Sequence, residues 1–343
     1  MKIVEISYTI EKIKLKVPFI TALREVHYAE FIRLKIICDD GSIAYGEAPS
    51  TKAITGETLK SIASAIEMVR VEILEKKLHE AYEIVHKSDC GSSAKAAFDI
   101  ALVTLFAKEK GLSLWKYFDI DKKLTIKTDI TVSLSSVDIM LQSAKEAYTN
   151  GMDILKIKLG ENISHAIEIS KKLSKELPCA TLLIDANQAW NKEESFCYLD
   201  AIKECENIAL IEQPVAADAI EELKEITAYS KFAILADEAV FTLEDAKKVL
   251  EMQAADMLNI KVMKCGGITK AVSILEYAKE QGVKCMLGSM IEGPYSINAT
   301  LYLAFAYSDV ISYIDLDSPL LYEKLPKELD FDYKGASIGF KAQ

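Results

Sequence analysis

No two cysteines stand in a C-x-x-C arrangement, and the seven present are an odd number. A disulfide framework and a cysteine-bound zinc site are therefore excluded as organising features. Reduced, mostly buried cysteine is expected, as in a cytoplasmic protein. Long apolar runs are missing too. The longest uncharged stretch, Gly293 to Ser308, carries Asn, Ser, Thr, Pro and three Tyr and falls short of a membrane span. The N-terminal MKIVEISYTIEKIKLK sets charges every few positions and has no apolar core of the signal-peptide kind. Positive charge is in deficit: 41 Lys and Arg against 52 Asp and Glu leave a net −11. Such a surface repels phosphate backbones and anionic headgroups, so neither nucleic acid nor membrane is expected as a partner. Its ordinary meaning is solubility. A small-molecule substrate is the partner expected, and a homo-oligomer is left open.

What is present is an ordinary globular mix, 343 residues with half apolar and 27% charged. That length suggests about two domains, or one large barrel with an extension. It lets the chain bury about 75% of its unfolded surface without disulfide or metal staples. Residues 1–50 alternate with period two. Val4, Ile6, Tyr8 and Ile10 take one phase and Ile13, Leu15 and Val17 the other, which predicts a bend near Glu11–Lys12. Ile32, Leu34, Ile36 and Cys38 then lead to a turn at Asp40–Gly41, completing a three-stranded antiparallel meander. From Leu59 the apolar period becomes helical, and a further helix is expected from about Ser93 to Lys110, stopped by Gly111.

After Leu124 the texture changes. Eight short β-rich runs, the first at Thr128–Ser133 and the last at Asp309–Asp317, alternate with charged amphipathic helices such as His165–Leu177 and Ile268–Gln281. Alternation of this kind demands a parallel sheet with crossover helices, and eight repeats match a closed (β/α)₈ barrel. An open doubly wound sheet is the alternative, but its usual glycine-rich phosphate turn is absent. The expected fold class is α/β: a (β/α)₈-type barrel over residues 125–343 behind an α+β domain over 1–124. The last segment is left free to pack back on the first domain.

Five successive runs close on an ionisable residue where an apolar one would be expected: Lys158 (ILKIKLG), Asp185 (LLIDAN), Glu212 (ALIEQP), Asp237 (AILADE) and Lys261 (LNIKVM). Their spacings of 27, 27, 25 and 24 residues are one βα unit each. All five therefore fall at the C-terminal ends of strands, the end of a barrel that carries chemistry. A single Asp or Lys there would be read as a helix cap or a solvated side chain. Five in one register are poorly explained that way, because burying charges is costly unless they pair or bind a metal.

Asp185, Glu212 and Asp237 come from adjacent strands and would converge on one point. Three hard oxygens with no His or Cys among them suit Mg²⁺. Lys158 and Lys261 lie four strands apart, about half a turn of an eight-stranded ring, and would face each other across the mouth. Lys156 shares a face with Lys158. A divalent cation on a substrate carboxylate stabilises the charge made when its α-proton leaves. Lysine, with a free pKa of about 10.4, becomes a usable base where a cation and a second ammonium lower it. One lysine on each face removes a proton and returns one opposite, which is epimerisation; one base with a leaving group would give elimination.

At these residues the sequence resembles the enolase superfamily, whose pairing of a Lys base with Mg²⁺ is well known. The K-x-K of Lys156–Lys158, the D-x-N of Asp185–Asn187, the E-Q-P of Glu212–Pro214, the D-E of Asp237–Glu238 and NIKVMKCGGI around Lys261 are similar to its muconate-lactonising-enzyme subgroup. The resemblance spans essentially the whole chain and implies that residues 1–124 are a capping domain supplying loops over the barrel mouth. The D-x-D of Asp315 and Asp317 resembles that of the dipeptide epimerases, where the pair binds a dipeptide's free ammonium. Arg24, in PFITALREV, resembles the arginine that meets a glutamate side chain in Ala-Glu epimerases, a bidentate pairing that suits Arg. By the same resemblance Ile54 belongs to the lid, Thr131 lines the site near Lys156, and Ser289 and Met290 offer backbone groups to the dipeptide.

The expectation is thus a cytoplasmic, Mg²⁺-dependent epimerase of L-Ala-D/L-Glu serving murein-peptide metabolism, with Lys158 and Lys261 as its proton carriers. An o-succinylbenzoate synthase or a muconate-type cycloisomerase would share the lysine–metal core but gives no reason for two inward aspartates. A non-catalytic barrel gives no reason for five retained charges, and a Schiff-base aldolase would not need three convergent acids.

Overall fold

The alternating N-terminal sequence forms a three-stranded antiparallel sheet in the computed structural model, which describes residues 1–21 and 25–341. Its order is β1 (Ile3–Ile20), β2 (Glu25–Cys38), β3 (Ile43–Pro49). The turn before β3 uses Gly41 at φ +82°, a left-handed conformation that costs glycine little. The bend expected at Glu11–Lys12 is not found. Pairing with β2 runs unbroken from Glu5 to Lys14, and the irregularities fall on either side, between Ile3 and Glu5 and between Lys14 and Phe19. The change of apolar phase has a different cause: Ile3 and Ile6 enter the core beneath the sheet, whereas Leu15 packs with Phe31, Ile291 and Tyr322. One long strand serves two cores, and each core takes its own face.

Helices Leu59–Ile73, Leu78–Lys87 and Ser92–Glu109 cover the sheet. Thr58 opens the first with a reciprocal capping box to Ser61. The third is buried on nearly every side and presses against β3. Gly46 permits that approach, since a Cβ there would lie 1.8 Å from the Ala97 carbonyl oxygen.

Eight parallel strands follow in sequence order within one sheet. They are Ile130–Val132, Ile154–Lys158, Thr181–Asp185, Ile208–Glu212, Ala233–Ala236, Met257–Lys261, Lys284–Gly288 and Ile311–Asp315, the first to eighth barrel strands. Helices between them, such as Ile163–Glu176 and Ile268–Glu280, form the outer layer. The expected α/β barrel is present. Its first and last strands meet at a seam rather than a regular ladder. Asp129 N–H donates to the Ile314 carbonyl at 2.9 Å. The Thr128 hydroxyl donates to the same carbonyl at 3.2 Å and accepts from Leu316 N–H at 3.0 Å. A side chain thus replaces ladder bonds, and the barrel closes without leaving these buried backbone groups unpaired.

Leu183, Leu210, Leu235, Met257 and Met286 fill the barrel interior as a cluster of their own. The three leucines each precede an acid by two residues and so share its inward face: Asp185, Glu212 and Asp237. An apolar floor carries a charged layer.

Two buried acids tie the N-terminal sheet and helices to the barrel. Glu47 accepts from Arg33 Nε at 2.8 Å and from the N–H groups of Tyr295 and Ser296, at 2.7 and 3.2 Å. Those N–H groups open helix Pro294–Ala306, where a carboxylate is electrostatically favoured. Asp99 accepts from the N–H and hydroxyl of Thr269, at 3.2 and 2.5 Å. Near the C-terminus, Phe331–Lys334 and Ser337–Phe340 pair and extend onto Ile126–Lys127, while Glu328 pairs with Arg33 at 3.2 Å. All seven cysteines are free, four of them buried. No helix among the described residues is long and apolar enough to cross a membrane.

The tight contact at Gly46 yields a stability prediction. Gly46→Ala is expected to cost about 3 kcal/mol, the upper end of overpacking effects, because the clash is with backbone. Urea denaturation measures this; an unchanged midpoint would mean that β3 and the helix separate freely.

Candidate active site

Lys158, Asp185, Glu212 and Lys261 are each the last residue of their strand, and Asp237 is the first after the fifth. Lys158, Asp185 and Glu212 are direct cross-strand neighbours. The register inferred from sequence spacing is therefore the register of the sheet. None of the five is more than 5% exposed.

Burial forces these charges to pair. Lys158 Nζ donates to Asp185 Oδ2 at 2.5 Å and Lys261 Nζ to Asp237 Oδ2 at 2.6 Å. Lys156, one layer deeper, meets three acids: Asp315 Oδ2 at 2.7 Å, Glu212 Oε2 at 2.8 Å and Asp185 Oδ2 at 3.2 Å. The contact with Glu212 is ionic only, since that oxygen has no hydrogen-bond partner; its other oxygen accepts from Asn259 Nδ2 at 2.8 Å. Burial alone would raise Asp185 and Asp237, but the adjacent lysines outweigh it and hold both below the carboxylate range. Glu212 goes the other way: burial and its neighbour Asp185 push it up to about 8. Burial works to lower Lys261, and Lys156 repels it, yet Asp237 keeps its ammonium above the ordinary lysine value. Of the two influences expected from sequence to lower a lysine, the repulsion by Lys156 is present, but the attraction of Asp237 outweighs it.

Lys264, on the short helix Val262–Cys265, was not anticipated. Its Nζ donates to Asp237 Oδ1 at 2.6 Å and to the Asn259 carbonyl at 3.0 Å. The signal was the second lysine of NIKVMKCGGI, three residues after the first. Gln213 also escaped notice; its Oε1 accepts from Asp237 N–H at 3.0 Å and fixes that loop. Gly288 leaves room for the chemistry, since a Cβ there would lie 2.9 Å from Lys261 Cε.

The donor set was tested for a cation. Asp129, Asp185, Glu212, Asp237, Glu238, Asp315 and Asp317 are buried there against Lys156, Lys158, Lys261 and Lys264, seven acids to four lysines. Such a deficit of positive charge suits a divalent cation, and Glu212 Oε2, which has only the ionic contact with Lys156 and no hydrogen-bond partner, keeps lone pairs to give one. Asp185, Glu212 and Asp237 supply hard oxygens of the kind Mg²⁺ takes. Here they are drawn onto ammonium groups instead. Among the described residues, the three acids whose oxygens come within 4.8 Å of one another are Asp129, Asp315 and Asp317.

Ile54, Thr131, Lys158, Lys261, Ser289, Met290, Asp315 and Asp317 line one cleft at the mouth, joined by Phe19, Thr21, Asn187 and Glu238. Lys156 and the three candidate metal ligands lie below it. Arg24 falls outside the described residues. Asn187 and Glu238 sat inside the D-x-N and D-E motifs without being singled out; Asn187 Nδ2 donates to Glu238 Oε1 at 3.3 Å. The eighth strand stops at Asp315, so Asp317 starts the helix Ser318–Leu321 rather than ending a ladder. Its carboxylate still faces the cleft, accepting from Thr131 N–H at 2.7 Å. Ser289 and Met290 have committed their N–H groups, to the Asp315 carbonyl at 3.0 Å and to Glu292 Oε1 at 2.7 Å.

Residues 3–118 match the mandelate racemase / muconate lactonizing enzyme N-terminal domain, and 140–338 match the enolase C-terminal domain-like family. The chain belongs to the mandelate racemase/muconate lactonizing enzyme family, within the enolase superfamily. Among members of this family, it is 53% identical over 339 residues to the L-amino acid-D/L-Glu epimerase of Sulfurimonas denitrificans, across 98% of this chain and 99% of that one. The substrate-liganded L-Ala-D/L-Glu epimerase of Bacillus subtilis superposes with a TM-score of 0.93 at 35% identity, across 99% and 97% of the two chains. The dipeptide epimerase of Enterococcus faecalis, complexed with Mg and L-Leu-L-Tyr, gives 0.91 at 31%, across 99% and 98%.

The buried acids of the chain set its response to pH. Burial pushes Glu47, Glu238, Glu292 and Asp317 up to about 7 and Glu212 to about 8, whereas unfolded carboxylates titrate near about 4. Between pH 5 and 8 the folded state therefore binds more protons than the unfolded one, and its stability falls as pH rises. Without divalent cation the melting temperature is expected to drop from pH 5.5 to 8, and Mg²⁺ at pH 8 to restore it. A flat or rising profile, or no response to Mg²⁺, would contradict this charge balance.

Proposed function

We propose that the chain is a Mg²⁺-dependent dipeptide epimerase that inverts the α-carbon of a dipeptide's C-terminal residue, with L-Ala-D/L-Glu as its substrate. The observation that carries this reading is that Lys158 and Lys261, from the second and sixth strands, line one cleft above a layer of buried acids. Strands four apart in an eight-stranded ring stand on opposite sides, so the two amines approach a bound carbon from opposite faces. One removes the α-proton and the other delivers a proton to the far face; the roles exchange for the reverse reaction. Asp185 and Asp237 orient these amines through the contacts described.

Asp185, Glu212 and Asp237 would hold the Mg²⁺, which, bound to the substrate carboxylate, supplies stabilisation of the negative charge made by proton loss. Lys156 keeps the acid layer together. Asp315 and Asp317 receive the dipeptide's ammonium, Thr131 and Ile54 shape the cleft, Ser289 and Met290 border its far wall, and Arg24 takes the glutamate side chain. The names of the Sulfurimonas and Bacillus relatives support glutamate as the inverted residue, and the former supports tolerance at the first residue. An o-succinylbenzoate synthase has no ammonium to offer Asp315 and Asp317, and nothing favours it here. Residues 1–124 act as the cap over the 125–343 barrel, in a cytoplasmic enzyme that serves murein-peptide recycling.

Incubation of L-Ala-L-Glu with enzyme and Mg²⁺ in D₂O is expected to place deuterium at the glutamate α-carbon and to form L-Ala-D-Glu. Lys158→Ala and Lys261→Ala should each slow epimerisation by about a thousandfold or more, each sparing exchange from one epimer only. Absence of α-deuterium from Ala-Glu and from every other dipeptide tried would refute the assignment.

A further inference from the structure

Beneath Asp315 and Asp317 lies a third acid to which no role has been given. Asp129 precedes Thr131 by two residues at the entry to the first strand, on the inward face. It is fully buried, and neither of its carboxylate oxygens has a hydrogen-bond partner. Its oxygen lies within 4.8 Å of oxygens on both Asp315 and Asp317. A buried acid with no donor is costly unless a cation is supplied. The cation on hand, Lys156, is already shared by Asp315, Glu212 and Asp185.

We propose that Asp129 is a positioning residue of the amine subsite, completing with Asp315 and Asp317 a three-acid cup that selects substrates bearing a free ammonium group. This rests on the dipeptide-epimerase reading. Asp315 and Asp317 face the cleft, and Asp129 acts through them from below. An ammonium arriving above adds a second positive charge to that of Lys156, which the trio shares with Asp185 and Glu212. Opposite charges in a protein attract beyond hydrogen-bond contact, so an ammonium held by Asp315 and Asp317 feels Asp129 without touching it. A substrate whose amine is acylated, or absent, leaves three buried acids with only the shared Lys156 to answer them and is rejected by more than the loss of one hydrogen bond. Burial and the two neighbouring acids push the Asp129 carboxyl well above its ordinary range, so the neutral acid suits the cup before substrate enters. Asparagine is the isostere of that neutral acid. Asp129→Asn therefore keeps the fold while removing the charge that would develop on binding.

The test compares wild type with Asp129→Asn, and with Asp129→Leu as an apolar variant of similar size should the amide lower the melting temperature. The readouts are KM and kcat for L-Ala-L-Glu and the inhibition constant of N-acetyl-L-Ala-L-Glu, which lacks the ammonium. Expected is a rise in KM of about tenfold or more, kcat within about twofold of wild type, and an unchanged or tighter constant for the acetylated compound. The preference for the free amine thus falls at least tenfold. If both ligands weaken alike, or the preference stays at its wild-type value, Asp129 has only a structural part and the cup is wrong. A wild-type enzyme inert toward every dipeptide overturns the parent reading, and the cup with it, before any variant is examined.

Discussion

Charge burial governs this protein. Parallel strands end on acids and lysines that the barrel and its cap remove from water. An isolated charge so placed would cost several kcal/mol, so each must find an opposite partner. Four lysines answer part of the demand. Lys156 touches three acids at once, and Lys261 and Lys264 divide Asp237 between them. The remainder is visible as acids raised by burial, above all Glu212, and as oxygens on Glu212, Glu238 and Asp129 that accept no hydrogen bond. A site short of positive charge suits cations, and on the proposed reading these are a metal between Asp185, Glu212 and Asp237 and an ammonium over Asp315 and Asp317.

The scaffold explains how such a site survives. Below the charges, Leu183, Leu210 and Leu235 with two methionines make a dry floor that fixes the strands. Above, the cap is held by Glu47 at one helix start and by Asp99 at Thr269, so its segments carrying Phe19, Thr21 and Ile54 reach the same cleft. On the proposed reading, specificity can vary in residues 1–124 while the proton carriers stay on rigid strand ends, the end of a barrel that carries chemistry.

Much of this was written locally in the chain. One βα unit between successive charged residues put Lys158, Asp185, Glu212, Asp237 and Lys261 on one ring, and the sheet register agrees because the period of the repeat is also the period of the sheet. Less was legible where an element answers to distant partners. β1 changes apolar phase because two separate cores claim its halves, not because it bends. Asp317 is the local exception: it leaves the strand because Pro319 follows in the first turn of a helix, and Ser318–Pro319 in the sequence already allowed a turn there. Asp129 looks like any polar residue before a strand; only the seam between the first and eighth strands brings it beside Asp315 and Asp317. Lys264 was hidden by its own motif, since one lysine there sufficed for the expected chemistry.

On the proposed reading, two amines flank a carbon anchored by one cation on Asp185, Glu212 and Asp237. Crystals grown with Mn²⁺ in place of Mg²⁺ and an Ala-Glu dipeptide would test it through the anomalous signal. The account predicts one strong peak at about 2.1 Å from oxygens of those three acids, with the Lys158 and Lys261 ammonium groups released from Asp185 and Asp237 onto opposite faces of the glutamate α-carbon. A peak among Asp129, Asp315 and Asp317, or both lysines on the same face, would contradict it.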